Sequence, residues 1–223
     1  MAQPLIRAFV AELAARIELP DPVVEFGSLQ VEAHQDGDLR PLFPGRDYGG
    51  TDFREGPGVD RVEDLRGLSF GDGAVGTALC LDTLEHCEDP PQACRELARV
   101  TRGDGGVCVI SSVMLFGIHG YPGDFFRFTP EGFCSLLGGF DAAWVGAVGH
   151  PDIPTQVIGV GAHGRPLDLR FADFPCLIEA QRHYDDRRGK VRLGVHNYSP
   201  VEVARALRSE LPRLVRERLR RWA

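Results

Sequence analysis

Apolar residues at Leu5, Ile6, Phe9, Val10, Leu13 and Ile17 recur at helical spacing until Pro20 and Pro22 end the pattern, so the chain opens on an amphipathic helix. A short apolar run, Val23-Val24-Glu25-Phe26, follows between Pro22 and Gly27 and reads as a buried strand. Similar runs recur at 48–52, 59–65, 74–81, 107–113, 142–148 and 157–162. Between the fourth and fifth runs lies PPQACRELARVT, whose prolines suit a helix start and whose Ala93, Leu97 and Val100 share a face before Gly103. Strands alternating with helical connections predict an α/β fold: a Rossmann-like, mostly parallel seven-stranded sheet with helices on both faces. After Gly164 the alternation stops, and helical stretches over 176–188 and 200–222 predict a helical C-terminal appendage, a lid or oligomer contact. The expected division is an N-terminal helix over 1–20, a Rossmann-like domain over 21–163 and the appendage over 164–223.

Composition narrows the partners. With 223 residues, 43% of them hydrophobic, the chain can bury one substantial core. Its net charge of −7 opposes the footprint of a protein that grips phosphate backbones, so nucleic acid is not expected as a partner. No apolar run could span a bilayer, and Glu12 interrupts the stretch where a signal peptide stays apolar, so a cytoplasmic protein without membrane contact is expected. The six cysteines are too few for a disulfide scaffold and are read as reduced thiols. Cys80, Cys87 and Cys94 recur every seven residues beside His86, but the short paired spacing usual for zinc is absent, and no metal is expected. From Ser199 onward seven arginines face three glutamates, which reads as a solvated helix face with Val203, Leu207, Leu211, Leu214 and Leu219 turned inward.

The strand ends carry the chemistry. In order they present Glu25 and Gly27, then Asp52, then Glu63 and Asp64, then Asp82 with Glu85, and every charge is acidic. An acid closing the second strand is placed to accept hydrogen bonds from ribose hydroxyls, and Asp52 stands 25 residues past Gly27. A dinucleotide would need G-x-G-x-x-G for its pyrophosphate, whereas the first turn here reads Gly27-Ser28-Leu29-Gln30-Val31-Glu32. Carboxylates would repel two phosphates and stabilise a sulfonium and an ammonium, which favours S-adenosylmethionine (SAM) over a nicotinamide cofactor.

These residues resemble class I SAM-dependent methyltransferases, in particular the small-molecule group labelled methyltransferase type 11, over residues 21 to 140. The most specific part is LCLDTLEHCEDPPQACRELARVTRGDGGVCVI, which is similar to that group's fourth strand, following helix, glycine turn and fifth strand. YGGTDFREGPGVDRVEDL is similar to its second and third strands with their terminal acids. The resemblance implies that Glu25 and Gly27 hold the methionine end, Asp52 the ribose, and Asp64 with Leu65 the adenine. Leu81 would line the floor, and Ser28, Phe53 and His86 complete the cofactor set. The family's first loop is commonly E-x-G-x-G-x-G, and VVEFGSLQVEAH keeps only the acid and first glycine. Two outcomes follow: a loop in which Ser28 and Gln30 are polar substitutes, or a non-catalytic SAM-binding relative that serves as a partner-binding module.

Past the fifth strand, SSVMLFGIHGYPGDFFRFTPEGF lacks clean periodicity and gathers His119, Tyr121, Asp124, Phe125 and Arg127 before Thr129-Pro130-Glu131 opens a helix. It resembles the related enzymes' H-x-x-P-x-D-[YF]-x-R-[FY]-T segment, which lies beside the reactive methyl group. The acceptor side is therefore expected at His119, Tyr121, Phe125 and Arg127, with Arg127 either clamping an acceptor carboxylate or pairing with Asp124 or Glu131. Methyl transfer is an in-line displacement, for which orientation and exclusion of water can supply most of the acceleration. A base is required only if the acceptor loses a proton, and His119, His86 and Asp82 are the candidates. The expected reaction is transfer to an oxygen, nitrogen or carbon of a small molecule, as in specialised metabolism, by a monomer or homodimer. His196, Asn197 and Tyr198 are weaker candidates for lid residues, and His34, His150, His163 and His183 are read as surface groups.

Overall fold

In the computed structural model, residues 3–30, 38–120, 123–185, 191–193, 196–202 and 204–205 are described. Two short apolar strands, β1 (Val23–Phe26) and β4 (Thr77–Leu81), are buried along their whole length, as expected of strands covered on both faces of a parallel sheet. They pair in register with each other, Val23 opposite Thr77. Outside β1 lie β2 (Tyr48–Asp52) and β3 (Arg61–Val62), and outside β4 lies β5 (Val107–Val113), all parallel. The sheet is completed by β6 (Ala142–Gly149) and β7 (Pro154–Ala162), with β7 running antiparallel between β5 and β6. The order is therefore β3-β2-β1-β4-β5-β7-β6.

Helices cover both faces. On one face α1 (Pro4–Ala14) buries Ile6, Phe9, Val10 and Leu13 against Leu79, Ile158 and Val160. Phe9 stacks on Trp144 and meets Phe174, whose neighbour Leu177 belongs to α4 (Pro175–Asp185). The other face holds α2 (Pro90–Val100) and α3 (Pro130–Leu136), with Ala93, Leu97 and Phe133 packed on Ala78, Cys108 and Ile110. Both of these helices begin as their sequences dictate. The Asp89 carboxylate accepts from Gln92 N at 3.0 Å, the Thr129 hydroxyl accepts from Gly132 N at 3.0 Å, and a proline follows each cap.

Some elements are shorter than their sequence runs. The run at 59–65 yields only two strand residues, because Glu63 turns inward to accept from Ser69 N at 2.9 Å and Asp64 accepts from Arg66 N at 2.9 Å. The run at 74–81 pairs continuously only from Thr77, Val75 forming an isolated bridge to Thr101. The chain divides into two compact units, Met1–Ala180 and Gln181–Ala223. In the second, β8 (Val191–Leu193) and β9 (His196–Tyr198) form an antiparallel pair, and residues 200–202 and 204–205 are helical. The rest of the expected terminal helix, including Leu207, Leu211, Leu214 and Leu219, lies outside the described residues, as do Val203 and His34. No described helix is long and apolar enough to cross a membrane. The six cysteines form no disulfide, and Cys80, Cys87, Cys94 and Cys108 are buried as small apolar groups.

Candidate active site

In open α/β sheets ligands bind beyond the carboxyl ends of the strands where the order reverses, here between β1 and β4. A cavity of about 730 Å³ opens there, within the range of small-molecule sites. Its first wall is made by residues that follow β1, β2 and β3. Gly27 has φ +91°, and a Cβ on it would stand 2.1 Å from Thr83 Oγ1, so this turn passes the end of β4 with no room for a side chain. Ser28 and Gln30 do not face the cavity. The Ser28 hydroxyl lies 2.9 Å from Gly58 O and Gln30 N donates to Pro57 O at 2.9 Å, so the β2–β3 connection braces the turn that lacks its further glycines. Gly50 permits this packing, since a Cβ there would meet Gly58 O at 2.1 Å.

Asp52, Phe53, Asp64 and Leu65 line the same wall. The Asp52 carboxylate accepts from Arg54 N through Oδ1 at 3.1 Å, and Oδ2 has no hydrogen bond among the described residues. Asp64 is held by Arg66, which also reaches Glu88. Glu25 and Leu81, expected at the methionine end and the floor, are not among the lining residues. Leu81 is core, and the Glu25 carboxyl takes the Tyr48 hydroxyl as a donor. Burial pushes the Glu25 carboxyl up to about 7, against the opposing effect of the Tyr48 hydrogen bond.

The second wall comes from β4, β5 and the loop after β5. Asp82, at φ 47°, accepts from the Ser111 hydroxyl at 2.8 Å and Gln156 Nε2 at 2.7 Å, while Gln3 N approaches Oδ2 at 3.4 Å. Glu85 is 1% exposed and accepts from the Ser112 hydroxyl at 2.7 Å through Oε2. Burial, then the neighbouring Asp82 carboxylate, raises its carboxyl above the ordinary range. His86 and His119 meet edge to face at 4.9 Å, and Phe116 packs on His119 at 4.8 Å. A Cβ on Gly120 would stand 2.6 Å from the His86 ring, so the loop lies directly on it. The loop is braced rather than loose. Phe125 N donates to Glu85 O at 2.8 Å, His86 Nδ1 bonds Gly123 O, and Asp124 accepts from His119 N at 2.9 Å.

Of the two roles open to Arg127, an acceptor clamp or an ion pair with Asp124 or Glu131, the structure has the pair with Asp124; the side chain also donates to Gly117 O at 3.1 Å, so its donors are spent inside the loop. Its guanidinium holds the Asp124 carboxyl well below the usual carboxylate range. Phe125 lines the cavity, and Tyr121 lies outside the described residues. Among the other histidines, His163 is partly covered, with Nε2 3.2 Å from Ala98 O and its ring on Phe140. Gln3, Thr83, Phe116 and Glu88 also line the cavity, and sequence reasoning did not single them out. Gln3 arrives from the far end of the chain, and no local pattern marks it.

The lining fits SAM on three counts. The carboxylates of Asp52, Glu63, Asp64, Asp82, Glu85 and Glu88 outnumber the guanidiniums of Arg54 and Arg66, Asp52 keeps an oxygen for a hydroxyl donor, and the volume suffices for a nucleoside. Residues 51–110 match the family model of the methyltransferase domain. No curated protein matches the sequence. Among solved structures, a SAM-dependent methyltransferase from Mesorhizobium loti aligns with a TM-score of 0.52 at 15% identity, over 70% of this chain and 98% of that one. The carbon methyltransferase CurJ aligns with a TM-score of 0.51 at 12% identity, over 71% of this chain and 54% of that one. The strand order, the acid-lined crevice and the methyltransferase-domain match over residues 51–110 agree on a Rossmann-like methyltransferase fold with a crevice suited to SAM.

Proposed function

We propose that the protein is a working enzyme that transfers the methyl group of SAM to a small-molecule acceptor. The observation that carries this reading is one continuous cavity joining the Gly27 and Asp52 wall to the His86 and His119 wall. SAM supplies an electrophilic methyl group on a sulfonium, which the acceptor atom displaces to leave a neutral thioether. Asp52 binds the ribose hydroxyls through its spare oxygen, Phe53 and Leu65 offer apolar contact, and Asp64 faces the adenine. The cavity of about 730 Å³ must hold cofactor and acceptor together, which favours a small acceptor over a macromolecular one. Phe116 and Phe125 exclude water around the transferring group. If the acceptor loses a proton, His119 and His86 stand in the wall to assist, whereas Asp82 is engaged by Ser111 and Gln156.

A second reading, a SAM-binding relative without turnover, is favoured by the first turn, where Ser28 and Gln30 are tied to Pro57 and Gly58 instead of leaving the backbone free to cradle a ligand. Calorimetric titration with SAM, its demethylated product and NAD, followed by an acceptor-library screen for release of that product, separates the readings. The enzyme binds the first two, ignores NAD and turns over at least one acceptor. Binding without turnover across the library favours the relative, and NAD binding alone sinks both.

A further inference from the structure

Three groups in the second wall have a relation that methyl transfer does not require. The ligand atoms of Glu85, His86 and His119 lie within 4.8 Å of one another. Bonds of about 2.0–2.2 Å at tetrahedral angles hold ligand atoms about 3.3–3.6 Å apart, so a set spread over as much as 4.8 Å closes on an ion after a shift of about 1 Å. His119 is one-third exposed at its side chain, which leaves space on its solvent side for that shift.

Each member is also already oriented from behind. His86 Nδ1 faces the Gly123 carbonyl, an acceptor only, so Nδ1 carries the hydrogen and Nε2 keeps its lone pair. His119 Nδ1 faces the Gly117 carbonyl at 3.1 Å and Asp124 Oδ2 at 3.4 Å, with the same consequence. Asp124 is in turn fixed by Arg127 and by the His119 backbone N–H. Glu85 accepts from the Ser112 hydroxyl through Oε2. Ligating histidines characteristically donate their second nitrogen to a carbonyl or carboxylate in this way, which fixes ring and tautomer.

From this we propose that Glu85, His86 and His119 form a binding site for a divalent transition-metal ion. Two imidazoles and one carboxylate suit zinc, cobalt or ferrous iron better than magnesium or calcium, which prefer all-oxygen shells. Three protein ligands leave coordination positions open toward the cavity that all three residues line. An acceptor hydroxyl bound there would be acidified by the ion. Only this last consequence rests on the methyltransferase reading; metal binding does not. The cysteine set beside His86 has no part in the site, since Cys80 and Cys94 are buried in the core.

The test uses the full, untagged chain after treatment with a chelator. Co²⁺ is titrated while its visible d–d absorption is followed, and Zn²⁺ is titrated by calorimetry. The proposal expects one equivalent of each to bind, with affinity falling at least about 10–100-fold in both His86→Ala and His119→Ala. The exposed-thiol control Cys134→Ser should bind like the parent, and circular dichroism should report folded variants. Glu85→Gln is buried and is read only if folded, the two histidine variants carrying the result otherwise. No binding by the parent, or equal binding by both histidine variants, overturns the site. SAM titrated into metal-free protein keeps the two readings apart: SAM binding without metal binding rejects the metal site alone, and metal binding without SAM binding rejects the enzyme reading alone.

Discussion

One wall of the cavity is assembled from strand ends and the other from a loop, and they reach rigidity by different routes. Gly27, Asp52 and Asp64 follow β1, β2 and β3, whose positions are set by parallel pairing such as Val23 with Tyr48 and Asp52 with Val62. Sheet hydrogen bonds and the apolar faces beneath them fix this wall before any side chain at the site acts. Among the described residues, the opposite wall has no ladder beneath its central stretch. Its shape comes from side-chain to backbone bonds, with Asp124 gathering the His119 N–H and Arg127 while Glu85 O takes Phe125 N. On the proposed reading, binding rests on the fixed geometry of a sheet and the reacting region on a segment that substitutions can reshape without unfolding the domain.

Changes to the two walls should therefore separate. The largest effect is expected at His119. For an acceptor that loses a proton with His119 as the base, His119→Ala should lower turnover by about 10²–10⁴-fold, the range for a group assisting proton transfer, with SAM affinity nearly unchanged. Loss of SAM binding in that variant would mean that the walls are not independent. Next is Gly27→Val, where a side chain must enter the space of Thr83 from a left-handed backbone. SAM binding should vanish while far-ultraviolet circular dichroism persists, and parental affinity would remove the first turn from the cofactor site.

A smaller effect distinguishes Glu25 from the acids that line the cavity. Its carboxyl stands at about 7 when folded against an ordinary value of 4.5, with Tyr48, Asp38 and Arg40 as its titratable or charged neighbours. Between those two values the folded chain holds a proton that the unfolded chain releases. Stability from this group is complete below about 4.5 and is lost as pH rises through about 7, by roughly 3 kcal/mol in all at about 1.4 kcal/mol per unit. Glu25→Gln should flatten that decline in denaturant titrations from pH 4.5 to 8 and leave SAM affinity nearly unchanged. A large loss of SAM affinity would instead give Glu25 the methionine end of the cofactor.

How much of this was legible in sequence follows the same division. The run at 107–113 coincides with β5, and Pro90-Pro91 and Thr129 announced two helix starts, because burial and helix-start preferences are local chemistry. Asp52 could be singled out because a strand end is marked by where an apolar run stops. The antiparallel placement of β7 was not legible, since pairing direction depends on partners far along the chain. Neither was the engagement of Arg127 with Gly117 O, nor the arrival of Gln3 at Asp82, 79 positions away. The meeting of Glu85 and His86 with His119 is of the same kind, because an irregular loop carries no periodicity to say where its side chains point.

The most direct test of the account is the SAM affinity of Asp52→Ala by calorimetry. Asp52 is the strand-end acid with an oxygen left over in the cavity wall. Hydrogen bonds from ribose hydroxyls to a charged acceptor contribute about 1.5–3 kcal/mol each. The account predicts a folded variant whose affinity for SAM and for its demethylated product falls together by roughly tenfold or more. Parental affinity for both in a folded Asp52→Ala protein would contradict it.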